Sequence, residues 1–92
     1  MGEPAAGAAG LAARLAVRLD HARDGVGLTR REWEVFELLG RDASCRQIAA
    51  ELHVTVSTVR NHVHNMRVRL GLDTREELIA LAHEVRDRRA AL

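Results

Sequence analysis

The sequence predicts an all-α fold: a four-helix domain with a helix-turn-helix at its centre, preceded by a short N-terminal helix. Two observations favour this class. Patterns typical of helix starts recur along the chain, and apolar residues follow them at helical spacing. A third observation argues against a large β-sandwich core, because Trp33 and Phe36 are the only aromatic residues. The chain has 92 residues, enough for one small domain.

The first 27 residues differ in composition from the rest. The opening MGEPAAGAAG is rich in Gly, Ala and Pro and predicts a flexible tail. LAARLAVRLDHA, residues 11–22, repeats leucine at helical spacing and predicts a short amphipathic helix or linker. Two glycines in RDGVG then interrupt the chain, so the sequence predicts a tail and linker over residues 1–27 and the folded domain over residues 28–92.

Three capping-box patterns predict helix starts within that domain. In a capping box, a Ser or Thr hydroxyl accepts from the backbone N–H three residues later, and a Glu or Gln there reaches back. The patterns begin at Thr29, Ser44 and Thr74. Gly40 is predicted to end the first of these helices as a C-terminal glycine. Apolar residues follow each start: Val35, Phe36, Leu38 and Leu39; Ile48, Ala49 and Leu52; Leu78, Ile79, Leu81, Ala82 and Val85.

The stretch VTVSTVRNHVHNMRVRLG, residues 54–71, carries conflicting signals. Its β-branched start favours a strand, but strand alternation would mix apolar and charged side chains on one face. Helical spacing explains it better, because five apolar residues recur at intervals of three and four: Val56, Val59, Val63, Met66 and Leu70. We therefore expect a helix over about 56–70, with Thr55 as N-cap and Gly71 at its end. Only two residues separate that cap from the preceding helix, which predicts a helix-turn-helix.

The charges are distributed unevenly along the chain. The formal net charge is +1, and all 14 basic residues are arginines. Between residues 46 and 69 four arginines are opposed by Glu51 alone. Arginine suits bidentate contacts to phosphate or guanine. A nearly neutral chain with one basic segment can therefore still be steered to DNA through that segment.

One face of the predicted third helix carries polar and basic side chains that point away from its apolar stripe. At about 100° per residue, this face includes Ser57, Arg60, His64 and Arg67, with Asn61 beside them. In the major groove Arg can read guanine and Asn can read adenine, while residues near a helix start suit phosphate contacts. The alternative interpretation is the solvated face of a surface helix. The tight preceding turn and the shortage of acids favour nucleic-acid binding.

Other chemistry finds little support in the residues. His62 and His64 would point about 200° apart on a helix, so no metal site and no cofactor are predicted. No catalytic motif is present, so we expect no enzymatic activity. Cys45 is the sole cysteine, which excludes an internal disulfide, and we interpret it as a helix-terminus residue rather than a redox site. With no apolar run near the ~20 residues of a membrane span and no signal peptide, we expect a cytoplasmic protein.

The acids and the tryptophan of the first capped helix also receive an interpretation. We expect the carboxylates of Glu32, Glu34 and Glu37 to interact favourably with the helix dipole and with water. They can also pair with arginines. Trp33 lies at the edge of the apolar stripe and is expected to cover the core, the alternative being a partner contact.

Residues 28–82 contain a specific set of short motifs that occur together in one known family. They are Leu28-Thr29, Arg31-Glu32, Glu34-Val35, Ser44, Ile48-Ala49, Leu52, Val54, Thr58-Val59-Arg60, His62, Arg69-Leu70-Gly71, Arg75 and Glu77-Leu78. With these motifs the segment resembles the DNA-binding domain of LuxR/FixJ (GerE-like) bacterial transcription regulators. Gln47 stands where that family usually has Glu, and Cys45 where it usually has Asn. Arginine also replaces the family's usual lysine at positions 46, 60 and 69, which keeps the charge.

The resemblance implies a function and a set of site residues. It implies sequence-specific binding of double-stranded promoter DNA by homodimers, with the third helix in the major groove. The implied base contacts are Arg60, Asn61 and His64. The implied DNA-backbone contacts are Arg46, Ser57, Thr58 and Arg67. The implied pairing runs through the fourth helix, whose stripe of Leu78, Leu81, Ala82 and Val85 is expected to pack on the domain and in part to meet a second copy.

Two questions stay open at this point. The chain is either a free-standing regulator or the effector domain of a response regulator whose linker is residues 11–22. The alternative function is a protein-interaction module or sigma-factor-like domain that contacts RNA polymerase or another regulator. Trp33 and the leucines of residues 11–22 favour that alternative.

Overall fold

The structure is a computed structural model that describes residues 28–91. This part of the chain forms four helices and no strands: α1 (Arg30–Gly40), α2 (Cys45–Leu52), α3 (Val56–Arg69) and α4 (Arg75–Ala91). The predicted all-α fold is confirmed. The predicted tail and N-terminal helix lie outside the described residues.

The predicted capping boxes are present at three helix starts. At α1 the Thr29 hydroxyl accepts from the N–H of Glu32 at 3.1 Å, and the Glu32 carboxylate accepts from the N–H of Thr29 at 2.9 Å. Reciprocal bonds of the same kind join Ser44 with Gln47 and Thr74 with Glu77. Each box satisfies backbone donors that have no acceptor within the helix.

The turn between α2 and α3 is as short as predicted. His53 adopts a left-handed conformation, with φ of 59°, and the N–H of Val54 donates to the carbonyl of Ala49 at 3.0 Å. Thr55 then begins the next helix by accepting from the N–H of Thr58 at 3.0 Å. A left-handed residue only two positions before an N-cap redirects the chain sharply, which produces the helix-turn-helix.

The prediction that Gly40 ends α1 as a C-terminal glycine is wrong in mechanism. Gly40 is the last helical residue, and the left-handed position belongs to Asp42, with φ of 64°. The N–H of Ala43 donates to the carbonyl of Leu38 at 3.1 Å, and the N–H of Asp42 donates to that of Leu39 at 3.0 Å. This is a Schellman motif closed by aspartate. Gly71 does take the predicted role at the end of α3, with φ of 74°.

Gly40 is required instead by the packing of α1 on α4. A Cβ at this position would lie 2.9 Å from the carbonyl oxygen of Ala82. The contact between α1 and α4 is the most extensive in the domain, and α3 packs on α1, α2 and α4. The core that results contains Leu28, Trp33, Val35, Phe36, Leu39, Ile48, Ala49, Val59, Val63, Met66, Leu78, Leu81, Ala82 and Val85.

An ion pair between the buried Glu32 and the partly exposed Arg69 joins α1 to the C-terminal end of α3. Glu32 is 3% exposed, and its carboxylate accepts from the guanidinium of Arg69 as well as from its own capping box. The expected solvation of Glu32 is therefore wrong, whereas its expected pairing with an arginine and its place in the first turn of the helix are confirmed. Glu34 and Glu37 do pair with arginines at the surface, at 3.0 Å with Arg31 and at 3.1 Å with Arg89.

We expect Glu32→Gln to lower the free energy of unfolding by about 1–3 kcal/mol, since it keeps the shape of the capping box but removes the charge opposite Arg69. Glu34→Gln is the matched control and should change it by no more than about 0.5 kcal/mol, because its ion pair is exposed to solvent. Urea unfolding of both variants measures the difference. Equal effects would show that the buried pair contributes no more than a surface one.

We also expect Gly40→Ala to destabilise the domain by about 1–3 kcal/mol, the usual cost of overpacking. Alanine is favoured over glycine in a helix by up to about 1 kcal/mol, so the clash with the Ala82 carbonyl must exceed that gain. The reverse substitution Ala50→Gly, at an exposed site of α2, calibrates the helix propensity in the same unfolding assay. A more stable Gly40→Ala variant would contradict the close approach of α1 and α4.

Candidate nucleic-acid interface

Helix α3 divides into a face held in the core and a face open to solvent. Val59, Val63 and Met66 are buried, and Val56 and Leu70 at its ends are partly buried against the core. The predicted apolar stripe is thus confirmed. The three candidate base-contacting residues lie on the open side and are exposed: Arg60, Asn61 and His64. They span about 100° of the helix circumference, so one surface can meet all three.

A shallow basic cavity lies next to this face. Its volume is about 220 Å³, and its lining comes from the starts of α2 and α4 together with α3. No acidic side chain lines it. The lining residues are Cys45, Arg60, Val63, His64, Arg67 and Arg75.

Among the arginines that line this cavity, Arg75 is the one that the sequence analysis did not identify as a site residue. One of its Nη atoms lies 3.6 Å from the Sγ of Cys45, although the two are 30 residues apart in the sequence. Its position directly after the Thr74 cap signals a helix start and nothing about DNA. Only the packing of α4 against α3 brings Arg75 beside Arg60.

Three of the four candidate backbone-contacting residues occupy helix starts. Arg46 is exposed in the first turn of α2, and Ser57 is exposed in the first turn of α3. Thr58 is partly buried, and its hydroxyl is hydrogen-bonded to that of Thr55 at 2.9 Å. No acidic residue occupies the first turn of either helix, so neither would repel a phosphate there.

The fourth candidate backbone contact, Arg67, is already engaged within the protein. One Nη donates to the carbonyls of Leu72 at 3.3 Å and Asp73 at 2.8 Å. The other is 3.2 Å from the Nδ1 of His64. Arg67 therefore connects α3 to the loop that precedes α4, a role that helical spacing did not reveal.

The histidines of α3 and the turn before it occupy different environments. His62 is partly buried, His64 is exposed, and His53 forms the left-handed end of α2. Within residues 28–91 no three potential metal-ligating side chains come together. In the same range no helix is both long and apolar enough to cross a membrane.

The four residues expected to contribute to dimerisation are all in the core of the protomer. Leu78, Leu81, Ala82 and Val85 are at most 5% exposed. Their side chains pack within the domain, as the sequence analysis expected first, and they leave little exposed area for a second copy. The outward side of α4 instead carries exposed Ala80, about 200° around the helix from Leu78.

Trp33 covers the core, as interpreted from the sequence. It is 5% exposed and stacks edge-on against Phe36, with ring centroids 5.5 Å apart and an interplanar angle of 89°. Its indole N–H has no acceptor among the described residues. Because the ring is covered, Trp33 offers no surface to a partner protein.

Comparison with known proteins finds similarity to bacterial regulatory proteins. The family model described as "Bacterial regulatory proteins, luxR family" matches residues 26–82. The spore germination protein GerE of Bacillus subtilis is 46% identical over 52 residues, which are 56% of this chain and 70% of that protein. No solved structure matches the chain.

Larger regulators match over the same region. The HTH-type transcriptional regulator MalT is 38% identical in Serratia proteamaculans and 36% identical in Klebsiella pneumoniae, in each case over 58 residues. Those residues are 63% of this chain but 6% of each MalT. The similarity to MalT therefore concerns a small part of that protein.

Proposed function

The chain belongs to the luxR family of bacterial regulatory proteins, which are DNA-binding transcription regulators, and we propose that it reads promoter DNA by placing α3 in the major groove. One observation carries this proposal: α3 is anchored in the core along Val59, Val63 and Met66 while its other side exposes Arg60, Asn61 and His64. An α-helix fits the major groove of B-DNA, where each base pair has its own pattern of donors and acceptors.

The proposal divides the contacts between bases and phosphates. Arg60 donates to O6 and N7 of a guanine, and Asn61 pairs with N6 and N7 of an adenine. Arg46, Ser57 and Thr58 bind phosphates and set the position of the helix. Arg75 joins them, because it lines the same basic cavity as Arg60.

We place DNA binding in residues 28–92 and give residues 1–27 the role of a tail and linker. The luxR family is not a family of enzymes, and the proposed site binds without catalysing a reaction. The alternative of a contact with RNA polymerase has lost one of its supports, since Trp33 is buried.

The proposal includes a homodimer on two-fold DNA sites, which the resemblance implies. Because the apolar stripe of α4 is buried in the protomer, we assign the contact to the opposite side of the helix. Ala80 lies at its centre, with Glu76 and Glu84 one turn to either side. A small exposed residue permits two helices to approach closely.

We expect Arg60→Ala to relax base discrimination at one position of the site, at a cost of about 1–3 kcal/mol in specific binding. Arg46→Ala, the matched control, should weaken binding to all sequences alike and reduce the salt slope by about one unit. Selection of bound sequences from random DNA, followed by titrations across a salt series, measures both effects. Unchanged affinity and preference in Arg60→Ala would rule out its assignment to base reading.

We expect Ala80→Glu to shift the protein towards monomers, because it adds bulk and a third negative charge beside Glu76 and Glu84. Ala50→Glu, at an exposed site of α2, introduces the same side chain away from α4 and should leave the oligomeric state as it is. Sedimentation of both variants without DNA provides the measurement. A dimer that survives Ala80→Glu would place the contact elsewhere.

A further inference from the structure

His64 and Arg67 lie about one turn apart on α3 and are in direct contact. An Nη of Arg67 is 3.2 Å from the Nδ1 of His64. A guanidinium has only N–H donors, so the Nδ1 atom must be the acceptor in this bond. An imidazole that accepts through Nδ1 is neutral and carries its proton on Nε2. The contact therefore specifies the tautomer of His64.

The guanidinium that makes this bond is held from its other side. Its second Nη donates to the carbonyls of Leu72 and Asp73, at 3.3 and 2.8 Å. The loop that carries these carbonyls is itself tied to α3, because the N–H of Leu72 donates to the carbonyl of Arg67 at 2.9 Å. Three of the five N–H donors of Arg67 are thus used within the protein.

We propose that Arg67 is a positioning residue that makes His64 an obligatory hydrogen-bond donor to DNA. The inference rests on the proposed function, in which His64 faces a base edge. With Nδ1 occupied by Arg67, the Nε2–H group is the part of the ring left to meet the major groove. This replaces the expectation that Arg67 contacts the DNA backbone directly.

A fixed hydrogen-bond donor at His64 would give the protein a preference among bases, because the base edges differ in their donors and acceptors. Guanine presents the acceptors O6 and N7, adenine presents the acceptor N7 beside the donor N6–H₂, and thymine presents the acceptor O4, whereas cytosine presents only the donor N4–H₂. A fixed Nε2–H donor can therefore bond to the first three bases and disfavours cytosine at the position that His64 faces. The opposite tautomer would expose a lone pair, which could bond to the amino group of cytosine or adenine.

A comparison of four proteins tests the role of Arg67: the wild type, His64→Ala, Arg67→Lys and the double variant. Lysine keeps the charge but carries its donors on a single nitrogen, so it cannot span two loop carbonyls and an imidazole. In selections from random DNA, each single variant should lose about threefold to tenfold of the discrimination against cytosine, the range of one net hydrogen bond. Arg67→Lys should change nothing further in the His64→Ala background.

Arg31→Lys is the matched control for the substitution itself. Arg31 pairs with Glu34 on α1 at 3.0 Å and takes no part in the proposed DNA or dimer contacts, so this variant should keep the wild-type preference. Thermal unfolding of every variant separates the two possible effects of Arg67. Loss of the loop contacts lowers the melting temperature, whereas loss of positioning changes the preferred base.

Nitrogen-15 NMR of the imidazole tests the tautomer in the wild type without any substitution. Near pH 8, where an ordinary histidine is neutral, we expect the proton of His64 on Nε2 and an acceptor signal from Nδ1. In Arg67→Lys the Nδ1 signal should move towards that of a ring free in water. A proton on Nδ1 in the wild type would overturn the proposal.

The failures of the two proposals are distinguishable. A wild type that selects no sequence at all would overturn the proposed function. A selective wild type whose discrimination falls in His64→Ala but stays intact in Arg67→Lys would overturn the positioning role alone. A preference for cytosine at the His64 position would also overturn it, because a donor cannot explain it.

Discussion

The structure depends on the division of α3 between an apolar side and a polar side. Val59, Val63 and Met66 are enclosed by the other helices, which determines both the rotation of α3 about its axis and its depth in the domain. Burial of three such side chains contributes several kcal/mol, at about 1.5–3 kcal/mol each. A rotation that moved Arg60 off the outer surface would have to expose them. The helix proposed to read DNA is thus oriented by its hydrophobic contacts, not by its polar residues.

Both flanks of α3 are then secured by polar contacts that differ in character. At its start, Thr55 caps it two residues after the left-handed His53, so the turn is short. At its end, Arg69 pairs with the buried Glu32 of α1, while Arg67 reaches the loop before α4. Hydrogen bonds and ion pairs depend on geometry, so these contacts fix the position of α3 more narrowly than hydrophobic packing does. Base recognition needs that precision, because side chains must meet particular atoms of the groove.

The distribution of ion pairs explains how a chain of net charge +1 can present a basic surface. Three acids of α1 and α4 are paired with arginines on those same two helices: Glu34 with Arg31, Glu37 with Arg89 and Glu84 with Arg88. By contrast, the three arginines that line the basic cavity, Arg60, Arg67 and Arg75, have no acidic partner among the described residues, and neither has the exposed Arg46. The arginines of α1 and α4 that pair with acids are neutralised, whereas those around the cavity are not. The positive potential is therefore concentrated at the cavity, where DNA would approach.

The sequence by itself determined the features that arise between near neighbours: where each helix starts, the turn between α2 and α3, and which side of α3 is polar. Capping and helical periodicity act over three or four residues, so both can be recognised in the sequence alone. Only the tertiary structure decided that Glu32 is buried under Arg69, 37 residues away, that Arg75 joins Arg60, and that Gly40 makes room for Ala82. It also decided that the whole stripe of α4 packs in the core of the protomer, where the sequence had left a part of it open to a second copy. These outcomes depend on which helices touch, and no local pattern encodes that, because an apolar stripe looks the same whether it meets its own domain or a second copy.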